Sequence, residues 1–347
     1  MAVAILSMAC GAWIGLVRIG WTLPLPGSSG IAAHGPFMVC GFLGTLIGVE
    51  RAIALGSRWA YAAPALVASG ALVLDLPAGP AGPLLITAGS GVLVVVFAVL
   101  VRRQPALYMV TMASGAAAWT TGNALWLAGE PLFRVVYWWI AFLVLTIAGE
   151  RLELNRVLAP TPGVRVLFGV AAGIVLAGVI VSAGLPRAGV HVTGAGLLAL
   201  ALWLFRYDVA RLTVRQHGLT RYMAVLLLIG YGWLGFAGAV ALVTDVTVPG
   251  LVYDAALHAF FLGFVMSMVF AHAPVVFPAV LRRPLPFHPR FYLHAGVLHV
   301  SVFVRVAGDL VAGLESWRPW GGLLNAAALV MFVVNVAASI ISARPRA

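Results

Sequence analysis

The chain is 347 residues long, 63% hydrophobic and only 9% charged, with a mean hydropathy of +1.06. That leaves too little polar surface for a soluble globule and points to an integral membrane protein in contact with the lipid bilayer. The formal net charge of +11 is no nucleic-acid footprint, because the basic residues, all arginine, fall at the ends of apolar segments.

Apolar segments of roughly spanning length run near 2–20, 31–50, 60–76, 81–101, 106–128 and 132–149. A second set runs near 164–184, 188–205, 222–243, 250–281, 291–313 and 321–342. They predict an all-α fold of about twelve transmembrane helices in a single polytopic domain, 1–347. The breaks are Pro/Gly turns or arginine-bearing connections such as LPLPGSSG, RRQP and RRPLPFHPR. Pro274 is expected to kink the over-long 250–281 segment. Cys10 and Cys40 lie in apolar runs and suggest no disulfide framework. Met1 to Gly20 lacks a positive n-region, which speaks against a cleaved signal peptide.

Charge asymmetry sets the expected orientation. Arg51, Arg58, Arg102, Arg103, Arg151, Arg156, Arg165, Arg206, Arg211, Arg215, Arg221, Arg282, Arg283, Arg290, Arg344 and Arg346 follow even-numbered spans. The other side holds Arg134, Arg187 and Arg318, with Arg18 at its edge. The positive-inside rule then puts both termini in the cytoplasm of a bacterial inner-membrane protein. The lysine-free composition fits a GC-rich bacterial genome.

Ionisable residues inside a span are costly and are read first as functional. Pro249 to Leu281 carries Asp254, His258 and His272. Fourteen positions bring the two imidazoles to within roughly 40° of one face, about 21 Å apart, one in each half of the bilayer. His34 falls in the outer half of span 2, as His258 does in span 10. His272 and His299 are level in the inner half, and His294 is shallower. His191 starts span 8, while His217 and His288 lie in loops and are read as solvated.

Two facing imidazoles from neighbouring helices suit a b-type haem, with small residues such as Gly35, Gly41, Gly44 and Gly263 where the ring packs. Each histidine taken alone is as well read as a hydrogen-bonded packing residue. Arg305 and Arg318 are candidates for the haem propionates, although Arg305 also stands four residues from Asp309 and suits an internal ion pair. Asp254, one turn before His258, is placed to accept that ring's second proton or to face outer water. His272, His294 and His299 form a further candidate metal set, for copper or a second haem.

HGPFMVCGFLGTLIG (34–48) resembles a histidine-bearing stretch of the NnrS family, haem- and copper-containing membrane proteins of nitric-oxide metabolism. HAFFLGFVMSMVFAH (258–272), followed by FVRV (303–306), is similar to that family's C-terminal histidine helices. Both segments are more distantly similar to subunit I of the haem–copper oxidases, which implies an arrangement of helical arcs and puts His34 and His258 on one haem. The departures are specific. Spans 6 and 7 hold no copper-ligating histidine, Ala256 stands two positions before His258, and HAPVVFP follows where the family has an HTGR-like run. An oxidase-type binuclear centre is therefore not expected.

The resemblance implies a haem-binding, copper-associated protein of nitric-oxide or nitrosative-stress metabolism, with a redox partner or quinol and open to a haem-dependent oxidoreductase role. A two-haem transmembrane electron carrier and a metal or small-solute transporter are the competing readings. Two other patterns have simple readings. GVERA (48–52) and AGERL (148–152) suggest arginines snorkelling to the interface and, for the architecture, allow a repeat of four-helix arcs. Trp119, Trp126, Tyr137, Trp138 and Trp139 suggest an aromatic belt.

Overall fold

The computed structural model describes residues 1–25 and 30–343. Residues 26–29 of the LPLPGSSG connection, and Arg344 and Arg346, lie outside the described residues. Among the described residues the regular structure is helical, without a strand.

Each of the twelve apolar segments falls on a helix. In order they are α1 Ala2–Arg18, α2 Gly30–Leu55, α3 Ala62–Val73, α4 Ala81–Arg103, α5 Leu107–Leu127 and α6 Leu132–Leu158. Then follow α7 Pro162–Ser182, α8 Pro186–Tyr207, α9 Gly218–Val243, α10 Leu251–Val280, α11 Phe291–Leu310 and α12 Trp317–Ser342. Nine among the described residues are long and apolar enough to cross a membrane; α1, α3 and α5 are not among them. α1 and α3 are short, at 17 and 12 residues. α5 has the length, 21 residues, but carries Thr111, Ser114, Thr120, Thr121 and Asn123.

Local chemistry sets the helix ends. α7 opens behind Thr161, whose hydroxyl accepts from Val164 N at 3.5 Å, with Pro162 in its first turn. α2 closes at Gly56, whose φ of +70° is the left-handed geometry that glycine supplies cheaply. Two helices are irregular inside. α2 winds as a π-helix over Phe37–Gly44, and α10 over Ala259–Met266. Pro274 and Pro278 do not end α10, which continues helically through both. A π-helical stretch also lies upstream, directly after His258.

The chain divides into two compact units, Met1–Glu150 and Arg151–Ala347, the division falling within α6. In lipid, apolar side chains gain little by leaving one neighbour for another, so close approach of backbones at small residues dominates packing. In the first unit a Cβ on Gly70 would stand 2.8 Å from Gly82 O, and one on Gly89 would stand 2.9 Å from Ala63 O, which locks α3 to α4. Ile14, Ala33 and Phe37 form the apolar contact between α1 and α2. In the second unit, Gly194 and Gly238 join α8 to α9 in the same way, and Gly308 and Gly321 join α11 to α12.

Candidate functional site

His34 stands three residues before the π-helical stretch of α2. Its Nδ1 lies 2.7 Å from the Gly11 carbonyl oxygen on α1. A carbonyl only accepts, so Nδ1 carries a proton, and in the neutral ring the lone pair falls on Nε2. Gly15, one turn further along α1, makes room for the ring: a Cβ there would stand 2.9 Å from both Nδ1 and Cε1 of His34. The sequence signal is the Gly-x-x-x-Gly spacing of Gly11 and Gly15, which sequence reasoning from the histidines alone passes over.

In the second unit, His258 has the same local chemistry. Its Nδ1 lies 2.8 Å from the Asp254 carbonyl oxygen and 3.5 Å from Asp254 Oδ2, and the π-helical stretch of α10 follows at once. The backbone carbonyl, not the carboxylate, is thus the closer acceptor. In the neutral ring the lone pair then falls on Nε2.

The Asp254 carboxylate is held elsewhere. Arg305 NH2 donates to Oδ2 at 2.6 Å and Arg318 NH2 approaches the same oxygen at 3.5 Å. Arg318 Nε is 2.7 Å from Asp309 Oδ1, a charge contact without hydrogen-bond alignment. Arg305 therefore pairs across helices with Asp254, while Asp309 on its own helix goes to Arg318. Two guanidiniums face two carboxylates, all on α10, α11 and the start of α12. The close approach of α11 to α12 permits it, since a Cβ on Gly321 would meet Arg305 N at 2.6 Å.

The paired Glu-Arg motifs do not snorkel. Arg51 is 8% exposed and Arg151 3%. In the first unit Arg51 NH2 donates to Glu150 at 2.7 Å, with Glu50 at 3.4 Å. In the second, Arg151 forms a bidentate pair with Asp208, both bonds 2.8 Å, and its NH1 lies 3.5 Å from His272 Nε2. Asp208 also accepts from Ala210 N at 2.7 Å. Carboxylates within reach make burial cheaper than extension to the interface.

The remaining histidines are dispersed rather than gathered. His272 Nδ1 donates to Met268 O at 2.8 Å. His294 is fully buried, with Nε2 3.2 Å from Tyr222 OH, Nδ1 2.9 Å from Asn335 Nδ2, and Phe270, Phe291 and Phe332 around the ring. His299 Nδ1 accepts from Trp233 Nε1 at 3.3 Å, so its Nε2–H faces Ser267 Oγ at 3.4 Å, and Ser267 donates onward to Gly263 O. His191 Nδ1 donates to Ala241 O at 3.1 Å. Among the described residues no three His, Cys, Asp or Glu side chains gather as a metal site.

Three of the five clustered aromatics lie deeper than an aromatic belt would put them, while Trp126 and Trp138 are half-buried. Trp119 and Trp139 are 0% and 1% exposed, and Tyr137 is buried. Trp119 stacks on Phe142 at 4.6 Å, and Trp139 Nε1 donates to Asn123 Oδ1 at 2.9 Å. They are core residues of the first unit, because Gly44 and polar Asn123 give the indoles a buried seat.

Among the described residues, nine helices are long and apolar enough to cross a membrane, and charges between helices are buried in matched pairs, as suits a helical membrane protein. Residues 1–341 match the family described as Domain of unknown function (DUF8744), and the chain belongs to that family. No curated protein matches the sequence.

Proposed function

We propose that this protein binds haem b through His34 and His258 and acts in nitric-oxide or nitrosative-stress metabolism, as its resemblance to the NnrS family implies. The observation that carries the reading is the shared setting of the two imidazoles. Each gives its Nδ1–H to a backbone carbonyl, at 2.7 Å and 2.8 Å, and an eight-residue π-helical stretch begins three residues after His34 and directly after His258. An imidazole so oriented presents a basic Nε2, the ligand form for iron, and π-helical turns recur at functional sites.

The imidazoles fit the group better than the arginines do. Arg305 and Arg318 are matched by Asp254 and Asp309 and so offer propionates no surplus positive charge. When bound, a bis-imidazole haem supplies one-electron transfer. The chain's own residues orient the rings through the Nδ1–H bonds to Gly11 O and Asp254 O. A quinol or other redox partner, twelve crossings with both termini cytoplasmic, and an inner-membrane location complete the proposal. The visible spectrum of the purified protein tests it: a Soret band with low-spin features is expected, and a protein that purifies without haem and fails to take it up defeats the reading.

Copper at His272, His294 and His299 is the weaker proposal. Both ring nitrogens of His294 and His299 already face protein hydrogen-bond partners, which a metal would displace. Metal analysis of a His272→Ala/His299→Ala protein checks it, since unchanged copper content removes it.

A further inference from the structure

The arginines of the second unit are paired at one end and unpaired at the other. Where α8 opens and α11 closes, Arg187 lies 3.6 Å from Asp245, and Arg305 and Arg318 meet Asp254 and Asp309. At the opposite end, where α7 begins, α8 closes and α9 begins, Arg165, Arg206, Arg211, Arg215 and Arg221 are exposed. None of these five has a carboxylate partner among the described residues. Arg206 instead lies over the Tyr207 ring, 5.2 Å from its centre.

The acid nearest to them in sequence is turned inward. Asp208 is the only carboxylate between Arg206 and Arg221, and it is 0% exposed. Its two oxygens accept from Arg151 at 2.8 Å, and Oδ1 also accepts from Ala210 N at 2.7 Å. Asn155, at the end of α6, completes the clamp: its Oδ1 accepts from Val209 N at 2.8 Å and its Nδ2 donates to Tyr207 O at 3.2 Å. A single helical turn, Ala210–Thr213, follows, and Gln216 N reaches Thr213 O at 3.0 Å. The connection between α8 and α9 is thus pinned from below, with its guanidiniums facing outward. Neighbouring elements are tied to the same end. Trp203 Nε1 donates to Val164 O at 2.9 Å, next to Arg165 and one turn of α8 before Arg206. The ring of Tyr222, the residue after Arg221, packs 5.4 Å from Phe287 in the connection that carries exposed Arg282 and Arg283.

Exposed apolar side chains stand among these cations: Phe205 before Arg206, Leu212 after Arg211, Val166 and Leu167 after Arg165. A soluble polyanion would cover the guanidiniums and leave the apolar groups in water. A phospholipid covers both, with its phosphodiester on the planar guanidinium forks and its acyl chains on the apolar side chains. A zwitterionic headgroup brings its own cation, which unpaired arginines repel, so the patch selects a headgroup with uncompensated negative charge. We propose that the second unit binds an anionic phospholipid of the phosphatidylglycerol class at the connection between α8 and α9, its phosphodiester on Arg211 and Arg215 and its acyl chains along Phe205 and Leu212. The site does not depend on haem.

Native mass spectrometry of the intact, delipidated protein in a neutral detergent tests it, with phosphatidylglycerol titrated against phosphatidylcholine of the same acyl chains. Phosphatidylglycerol is expected to bind about thirtyfold more tightly, the product of two surface arginines at about fivefold each. Arg211→Gln/Arg215→Gln is expected to bring the two lipids close to parity, and Arg187→Gln at the paired end to leave the preference as it was. Equal binding of the two lipids by the unaltered protein overturns the proposal, and so does an undiminished preference in the double variant. Displacement of the lipid by equimolar glycerol phosphate, which has the phosphate but no acyl chain, overturns a lipid as the occupant. If the double variant does not fold, the comparison of the two lipids on the unaltered protein still decides.

Discussion

The Arg305 guanidinium lies 2.6 Å from the Asp254 carboxylate, with the two side chains 6% and 8% exposed. A buried pair of this kind gains little over a well-packed apolar pair, but breaking it strands a charge. Arg305→Met and Asp254→Leu are each expected to destabilise by about 3–5 kcal/mol. An Arg305→Met/Asp254→Leu protein loses much less than the sum of the single changes, since neither charge is orphaned. Unfolding midpoints in detergent across the four proteins of the cycle check this. A double variant as damaged as the summed singles would assign the loss to packing instead.

A methyl group at Gly15 meets the His34 ring at 2.9 Å. Neither α1 nor the π-helical segment of α2 has slack there, because Gly11 is already the acceptor for Nδ1. Gly15→Ala is expected to cost about 1–3 kcal/mol by overpacking. It also shifts any spectrum that depends on His34. The contrast is Gly91→Ala on α4, where a Cβ meets nothing within 4 Å, so stability and spectrum should be unchanged. Equal effects of the two substitutions would mean that His34 is not confined by α1.

The helices themselves were legible because lipid length and backbone satisfaction leave few alternatives: all twelve apolar segments fall on helices. The arrangement of charge was less so. Arg305 and Asp309 are four residues apart, which reads as a pair on one helix, yet the partner of Arg305 is 51 positions away on α10. Hydropathy does not reveal which face of α11 meets α10. Trp119 and Trp139 likewise read as interfacial from their place near helix ends. Their burial follows from Gly44 and Asn123, two residues whose meaning appears only when α2, α5 and α6 are packed. The π-helical turns after His34 and His258 leave no mark in composition at all. By contrast, the repeated Gly-x-Glu-Arg and Gly-Glu-Arg endings foreshadow the buried Arg51–Glu150 pair, in which a nearby carboxylate makes burial cheaper than snorkelling.

The orientation is open to a direct measurement. Arg215, Gln216 and His217 are exposed in the connection between α8 and α9. In a Cys10→Ser/Cys40→Ser background, Gln216→Cys is expected to resist a membrane-impermeant thiol reagent in intact cells and to react once the cells are opened. Reaction in intact cells would reverse the orientation and place both termini outside the cytoplasm.

The two histidines that precede the π-helical stretches give the most decisive variants. His34 gives its Nδ1–H to Gly11 O and His258 gives its own to Asp254 O, so in both the neutral ring has Nε2 as the basic nitrogen. His217 and His288 are exposed, and His288 Nδ1 accepts from Arg290 N within its own loop. If His34 and His258 hold a low-spin haem, His34→Ala and His258→Ala each abolish the low-spin spectrum, and added imidazole restores part of it by filling the lost position. His217→Ala and His288→Ala leave it unaltered. Gln at either ligand position tests shape separately from coordination: it keeps a polar side chain and a hydrogen bond to the carbonyl but not the imidazole. Loss in His34→Gln and His258→Gln with normal unfolding midpoints assigns the effect to ligation. An intact low-spin spectrum in either alanine variant removes that residue from the ligand set.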